Sequence, residues 1–197
     1  HKHAAHHASV AHLPANGIII GMTTLVTGTP GCGKTTLVEY AQKQGKTNFF
    51  DADFIPDLCE WRDMKTGQSI GLAADIPAAD KDNWYKRYGW YWQASVLRDF
   101  LSEHPDAVIC GSAENVTEFY KVFDKLAIII VTKEELEQNL NSPNRKNPFG
   151  QTAEQRAGFM EWQDFLLAGA KGHQATIISG NVIEKTFQQV AGLCKND

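Results

Sequence analysis

The stretch Gly28-Thr29-Pro30-Gly31-Cys32-Gly33-Lys34-Thr35 decides how the rest of this chain is read. It is a complete G-x-x-x-x-G-K-[ST] loop, whose residue types together suit one task, holding a chain of phosphates. The glycines let successive backbone N–H groups curl around an anion. A helix that starts at the lysine turns its positive end toward the same point. In that setting Lys34 reaches the β- and γ-phosphates of ATP, and Thr35 places its hydroxyl on Mg²⁺. The expected nucleotide cradle is Gly28, Thr29, Pro30, Gly31, Cys32, Gly33, Lys34, Thr35 and Thr36.

The motif needs a strand before it and a helix after it. Residues 22–27 (Met-Thr-Thr-Leu-Val-Thr) are extended and β-branched, as a buried strand requires. From Lys34 onward, Leu37, Val38 and Ala41 make one helical face, and Gly45 is a natural stop.

Working outward, the chain of 197 residues is long enough for one domain with a sizeable core. Its 43% hydrophobic content, 21% charged content and net charge of -4 suit a globular fold and argue against a general electrostatic hold on nucleic acid. No apolar run approaches the roughly 20 residues of a membrane helix. The four cysteines, Cys32, Cys59, Cys110 and Cys194, lack metal-type spacing and read as free thiols in a reducing cytoplasm. Residues 1–21 hold five of the seven histidines and read as a tag or disordered leader, leaving 22–197 as the single domain.

Near-continuous apolar runs place strands at 22–27, 47–51, 106–110, 126–131 and 175–179, as parallel strands covered on both faces demand. Helices are expected at 34–44, 54–65, 83–103, 115–123, 133–140, 152–169 and 182–194. The fold class is therefore α/β, a three-layer P-loop NTPase arrangement around a five-stranded parallel sheet. Residues 66–82 read as an acceptor-side loop and 141–151 as a mobile lid.

Ligands of open parallel sheets lie beyond the carboxyl ends of the strands. The second strand ends in Asp51-Ala52-Asp53, whose alternation aims both carboxylates toward the loop. Mg²⁺ with its waters for Asp51 and a substrate hydroxyl for Asp53 would reconcile two like charges so close; Asp53 could instead cap a following helix. The third strand ends in Gly111-Ser112-Ala113-Glu114-Asn115, where Gly111 permits close backbone approach. Thr132 and Glu135 form a capping box. Arg145 lies in the lid, where it can stabilise charge on a transferring phosphoryl group, and Arg156 follows on the next helix. Trp84, Tyr88, Tyr91 and Trp92 share a helical face and read as core, whereas Tyr85 and Trp90 fall off it and could stack on a ring. Arg87, within the same cluster, could pair with a substrate carboxylate or phosphate.

Together these residues resemble the small P-loop kinases, especially the shikimate kinase and gluconate kinase branch, with adenylate kinase-like enzymes as wider relatives. Phe49-Phe50-Asp51-Ala52-Asp53 is similar to the strand-2 Asp-x-Asp of shikimate kinase, and Thr66-Gly67-Gln68-Ser69-Ile70 resembles that family's Thr-Gly-x-Ser-Ile. The resemblance implies Asp51 on Mg²⁺ water, Asp53 on a substrate hydroxyl, Arg87 and Arg156 on substrate, and Arg145 as the lid arginine. Of the family's Gly-Gly-Gly turn only Gly111 is matched.

The expected activity is ATP- and Mg²⁺-dependent phosphoryl transfer to a hydroxyl or phosphate of a small-molecule acceptor, with Lys34, Asp53 and Arg145 as catalytic residues. Nucleoside or nucleotide phosphorylation and an atypical adenylate kinase-like ATPase are the alternatives. A monomer or homodimer without membrane or nucleic-acid partners is expected. A GTPase switch would need Asp-x-x-Gly after a strand, and a remodelling ATPase an apolar strand ending in Asp-Glu; neither occurs here.

Overall fold

The computed structural model describes residues 21–71, 81–143, 145, 150 and 152–195. The leader at 1–21 thus lies outside them apart from Gly21, as do the middle of the acceptor-side loop (72–80) and most of the lid.

The chain runs β1 (Thr24–Gly28), α1 (Lys34–Lys43), β2 (Phe49–Asp51), β3 (Cys59–Asp63), β4 (Ser69–Gly71), α2 (Lys81–Arg87), β5 (Tyr88–Trp92), α3 (Ala94–Glu103), β6 (Val108–Cys110), β7 (Lys125–Ile130), α4 (Lys133–Leu140), α5 (Ala153–Gly169), β8 (Ala175–Ser179) and α6 (Ile183–Leu193). Short 3-10 turns occupy Ala52–Phe54 and Val116–Phe119. The main sheet has five strands in the order β2-β6-β1-β7-β8, with every pairing parallel. All five of its strands fall where the apolar runs place them.

The sheet is covered on both faces, and the period of two sorts its side chains. Leu25, Ile109, Leu126 and Ile128 enter one core with Trp92, Leu97 and Leu166. Val26, Val108, Ala127 and Ile129 enter the other with Leu37, Val38 and Val190. β1, buried along its whole length, lies between β6 and β7, so the phosphate-loop sequence emerges from the middle of the carboxyl edge. Helix α1 ends at Lys43, with Gly45 in the left-handed region at φ 77° just beyond. All four cysteines are free.

A second, antiparallel sheet of order β4-β3-β5 replaces two expected helices. Residues 54–65 are turns and strand β3, and 83–103 divide into α2, β5 and α3. The expected helix at 115–123 is the turn Val116–Phe119. The aromatic residues pair across strands instead of stacking along a helix: Trp61 lies opposite Trp90 in register, with ring centroids 5.0 Å apart. Gly89 is required there, because a Cβ would meet Glu114 Cγ at 2.6 Å.

Two buried carboxamides stitch the layers at the carboxyl edge. Asn115 accepts from the Trp92 N–H and donates to the Trp92 carbonyl, both at 3.0 Å, completing the pairing that a neighbouring strand would supply. Gln163 does the same for Val131, at 2.9 and 3.2 Å.

Gly111 follows β6 in a crowded place. A Cβ there would lie 2.5 Å from Ala52 Cβ and 2.7 Å from the Trp92 ring. Gly111→Ala should therefore cost about 1–3 kcal/mol through overpacking, read as a lower denaturation midpoint with an unchanged slope.

Candidate active site

The start of α1 is built unlike those of α4 and α5. α4 opens with the expected capping box of Thr132 and Glu135 and two acids in its first turn. α5 opens with Thr152 bonded to Gln155 N–H and with Glu154 in its first turn. α1 has a left-handed glycine at its N-cap (Gly33, φ 98°), no side-chain cap and no acid in its first turn, but a lysine. Local stability asks for the opposite charge. Among the described residues, the N–H groups of Gly31, Gly33, Lys34 and Thr35 find no acceptor. Exposed amides that converge with a lysine make an anion cradle.

The cradle is held from outside. Thr29 Oγ1 donates to the Phe159 carbonyl of α5 at 2.6 Å. Asn139 of α4 donates to the Gly31 carbonyl at 2.9 Å. A Cβ on Gly31 would press on Leu136 and Leu140 at 3.0 Å. Cys32 is buried beneath the loop. Lys34 Nζ donates to the carbonyls of Gly28 at 2.7 Å and Thr29 at 3.0 Å.

β2 brings the acids. Asp51, not Asp53, caps the short turn that follows: its Oδ1 accepts from the Asp53 N–H at 3.1 Å. Its Oδ2 accepts from Thr35 Oγ1 at 2.8 Å. A hydroxyl and a carboxylate in contact beside a phosphate cradle are hard oxygen donors of the kind Mg²⁺ takes, together with phosphate oxygens and water. Asp53 Oδ1 accepts from the Trp90 indole N–H at 3.0 Å. Burial pushes the Asp53 carboxyl above the ordinary aspartate value and Asp51 adds to this, while the Trp90 hydrogen bond and Lys34 oppose it.

Arg87 and Arg156, expected on substrate, have partners within the fold. Arg87 pairs with Asp63 at 3.0 Å and lies over the Tyr88 ring. Arg156 donates to the Gly150 carbonyl at 2.9 Å and to Asn141 Oδ1 at 3.0 Å, which ties together the two ends of the lid sequence. Arg145 is partly buried, and desolvation with nearby Arg156 lowers its pKa. Two cations so disposed favour an anion between them. Gly111 is buried under Ala52 and Trp92, so its role in this structure is packing. Trp90 was legible only as an off-face aromatic; its bond to Asp53 depends on a strand pairing distant in sequence.

No protein-family model matches the chain, and no curated protein matches it. Solved structures do. Shikimate kinase from Acinetobacter baumannii in complex with shikimate superposes with a TM-score of 0.55 at 16% identity, over 89% of this chain and 96% of that one. Shikimate kinase from Bacteroides thetaiotaomicron (TM-score 0.47, 14% identity, 87% and 97% covered) and a gluconokinase from Sinorhizobium meliloti 1021 (0.44, 12%, 89% and 94%) are further matches. The first likeness is one of fold: this chain has the α/β fold of a small P-loop kinase.

Proposed function

We propose that this protein catalyses ATP-dependent phosphoryl transfer to a small-molecule acceptor. The observation that carries the reading is the uncapped, acid-free start of α1 with Asp51 and Asp53 held across from it. The fold shared with a shikimate kinase supports it.

Bound Mg·ATP supplies the phosphoryl group and offsets part of its charge. The amides of Gly31, Gly33, Lys34 and Thr35 hold phosphate oxygens, and Lys34 exchanges its own loop carbonyls for them. Thr35 and Asp51 hold the metal side. Asp53 orients the acceptor hydroxyl and takes its proton, a task helped by a raised pKa. Arg145 stabilises charge that spreads over the transferring group.

Asp51→Asn separates metal binding from folding. Asparagine caps as well as aspartate, so the turn should persist. Loss of the charge should raise the Mg²⁺ concentration for half-maximal rate by roughly tenfold or more, with melting temperature little changed.

ADP formation measured with Mg·ATP alone and with sugars, polyols, cyclic acids and nucleosides tests the activity. Acceptor-dependent ADP supports phosphoryl transfer. Hydrolysis at one rate whatever the acceptor points instead to an atypical adenylate kinase-like ATPase. Nucleosides belong in the series because Trp61, Tyr85 and Trp90 form an aromatic group that reaches Asp53.

A further inference from the structure

Gly31 is held by residues far from its own loop. Locally, Thr29-Pro30-Gly31-Cys32 is a turn closed by the Cys32 N–H on the Thr29 carbonyl at 3.2 Å. Proline is second and a left-handed glycine (φ 89°) third, the pattern of a type II turn. The turn uses the Cys32 N–H, leaves the Gly31 N–H for an anion and presents the Gly31 carbonyl to α4. Asn139 Nδ2 donates to that carbonyl at 2.9 Å, and a Cβ on Gly31 would lie 3.0 Å from both Leu136 and Leu140. Positions 136, 139 and 140 have the i, i+3, i+4 spacing of neighbours on one helix face.

Burial accounts for the two leucines. It does not account for Asn139, which is exposed. Asparagine is a weak helix former, because its side chain competes for nearby backbone groups. Here the carboxamide reaches a carbonyl 108 positions earlier in the chain. A carbonyl only accepts, so the contact needs the NH₂ of Asn139, and a carboxylate could not make it. α4 is fixed in turn against α5. Arg156 Nη2 donates to Asn141 Oδ1 at 3.0 Å. Phe159 of α5, whose carbonyl takes the Thr29 hydroxyl at 2.6 Å, lies with Leu140 against Gly150, where a Cβ would meet the two side chains at 2.8 and 2.9 Å. The loop, α4 and α5 thus close a ring of contacts.

We propose that Asn139 is a positioning residue for the phosphates of the nucleotide: it seats Gly31 on α4 with the Gly31 N–H turned to the cradle before any phosphate arrives. This rests on the nucleotide-binding part of the reading above. The contribution is preorganisation. Without the tether, Gly31 can leave its positive φ at no steric cost. Affinity then falls in proportion to the fraction of loops still in shape. Asn139 acts through Gly31 and has no part in holding the acceptor.

Asn139→Ala in the full chain tests this, by calorimetry with Mg·ATP and with magnesium tripolyphosphate, which carries the phosphates without the nucleoside. Both dissociation constants should rise by the same factor, about three- to tenfold, the worth of one hydrogen bond. The melting temperature of the ligand-free variant should stay level or rise, since alanine is the better helix former at an exposed site. In turnover the KM for ATP should rise while the KM for the acceptor stays unmoved. A residue that only supported the fold would lower the melting temperature and move both KM values together, and that result overturns the positioning role. So does unchanged affinity in a folded Asn139→Ala, or a loss confined to ATP with tripolyphosphate unaffected. Weaker binding of both probes, in a protein whose wild type transfers no phosphoryl group, would uphold the role of Asn139 and defeat the phosphoryl-transfer reading. A wild type that binds neither probe would defeat both.

Discussion

Lys34→Ala should lose phosphoryl transfer by roughly a thousandfold while the chain still folds. The magnitudes separate the two effects. In the structure the ammonium makes two hydrogen bonds to its own loop, to the carbonyls of Gly28 and Thr29. Each is worth about 1.5 kcal/mol net, the low end for a bond from a charged donor, because the ammonium is partly exposed. Against that, a cation in the first turn of α1 opposes the helix dipole by about 0.3–1 kcal/mol, and alanine is the better helix former. The net loss of stability should therefore be about 2 kcal/mol, short of unfolding a domain of ordinary stability. No such offset exists in the reaction, where a fixed positive charge meets developing negative charge. A folded, monodisperse Lys34→Ala protein that retains turnover would mean that this loop does not carry the chemistry.

Asp53→Asn should lower acceptor-dependent transfer by roughly 10²–10⁴-fold and stabilise the fold at neutral pH. The sign follows from the raised carboxyl. The folded protein holds the Asp53 proton more tightly than the unfolded chain, whose ordinary value is 3.8. Ionised Asp53 then costs stability: nothing below pH 3.8, more as pH rises through the folded value, and a constant amount above it. Asparagine removes the cost. Melting curves of variant and wild type should converge toward acid pH and separate with the variant higher near pH 7. Asp63 makes the opposite case: its bond to Arg87 holds the carboxyl below the usual range, so that pair supports the fold at neutral pH and ceases to as the pH falls. A destabilised Asp53→Asn at neutral pH would show that the carboxylate is a structural support and not a strained functional group.

The parts of this molecule legible in its sequence are those whose physics is local. The strands of the main sheet are buried on both faces, and their near-unbroken apolar runs say so without reference to a partner. The capping box at Thr132 and Glu135 and the stop at Gly45 are set by residues within a few positions. The small antiparallel sheet was not legible, because the run Trp84–Trp92 fits a helical face and a strand equally well. Only Trp61, more than twenty residues upstream, makes Tyr88–Trp92 a strand. The acceptor side is less legible for the same reason. Arg87 and Arg156 have the right chemistry for substrate, yet Asp63, Gly150 and Asn141 engage them once the chain folds. Trp90 reads as one aromatic among several until the fold sets its N–H on Asp53. Asp51 and Thr35 lie on successive elements of a strand-loop-helix-strand unit, close enough in sequence for their meeting to follow from the motif.

Isotope tracing of the γ-phosphoryl group tests the central claim most directly. The wild-type protein is supplied with γ-labelled Mg·ATP and an acceptor that stimulates ADP release. The label should appear as a phosphate ester of that acceptor, one for each ADP formed, and Asp53→Asn should suppress it. Label recovered only as inorganic phosphate, with or without acceptor, would contradict phosphoryl transfer and leave a nucleotide hydrolase on a kinase fold.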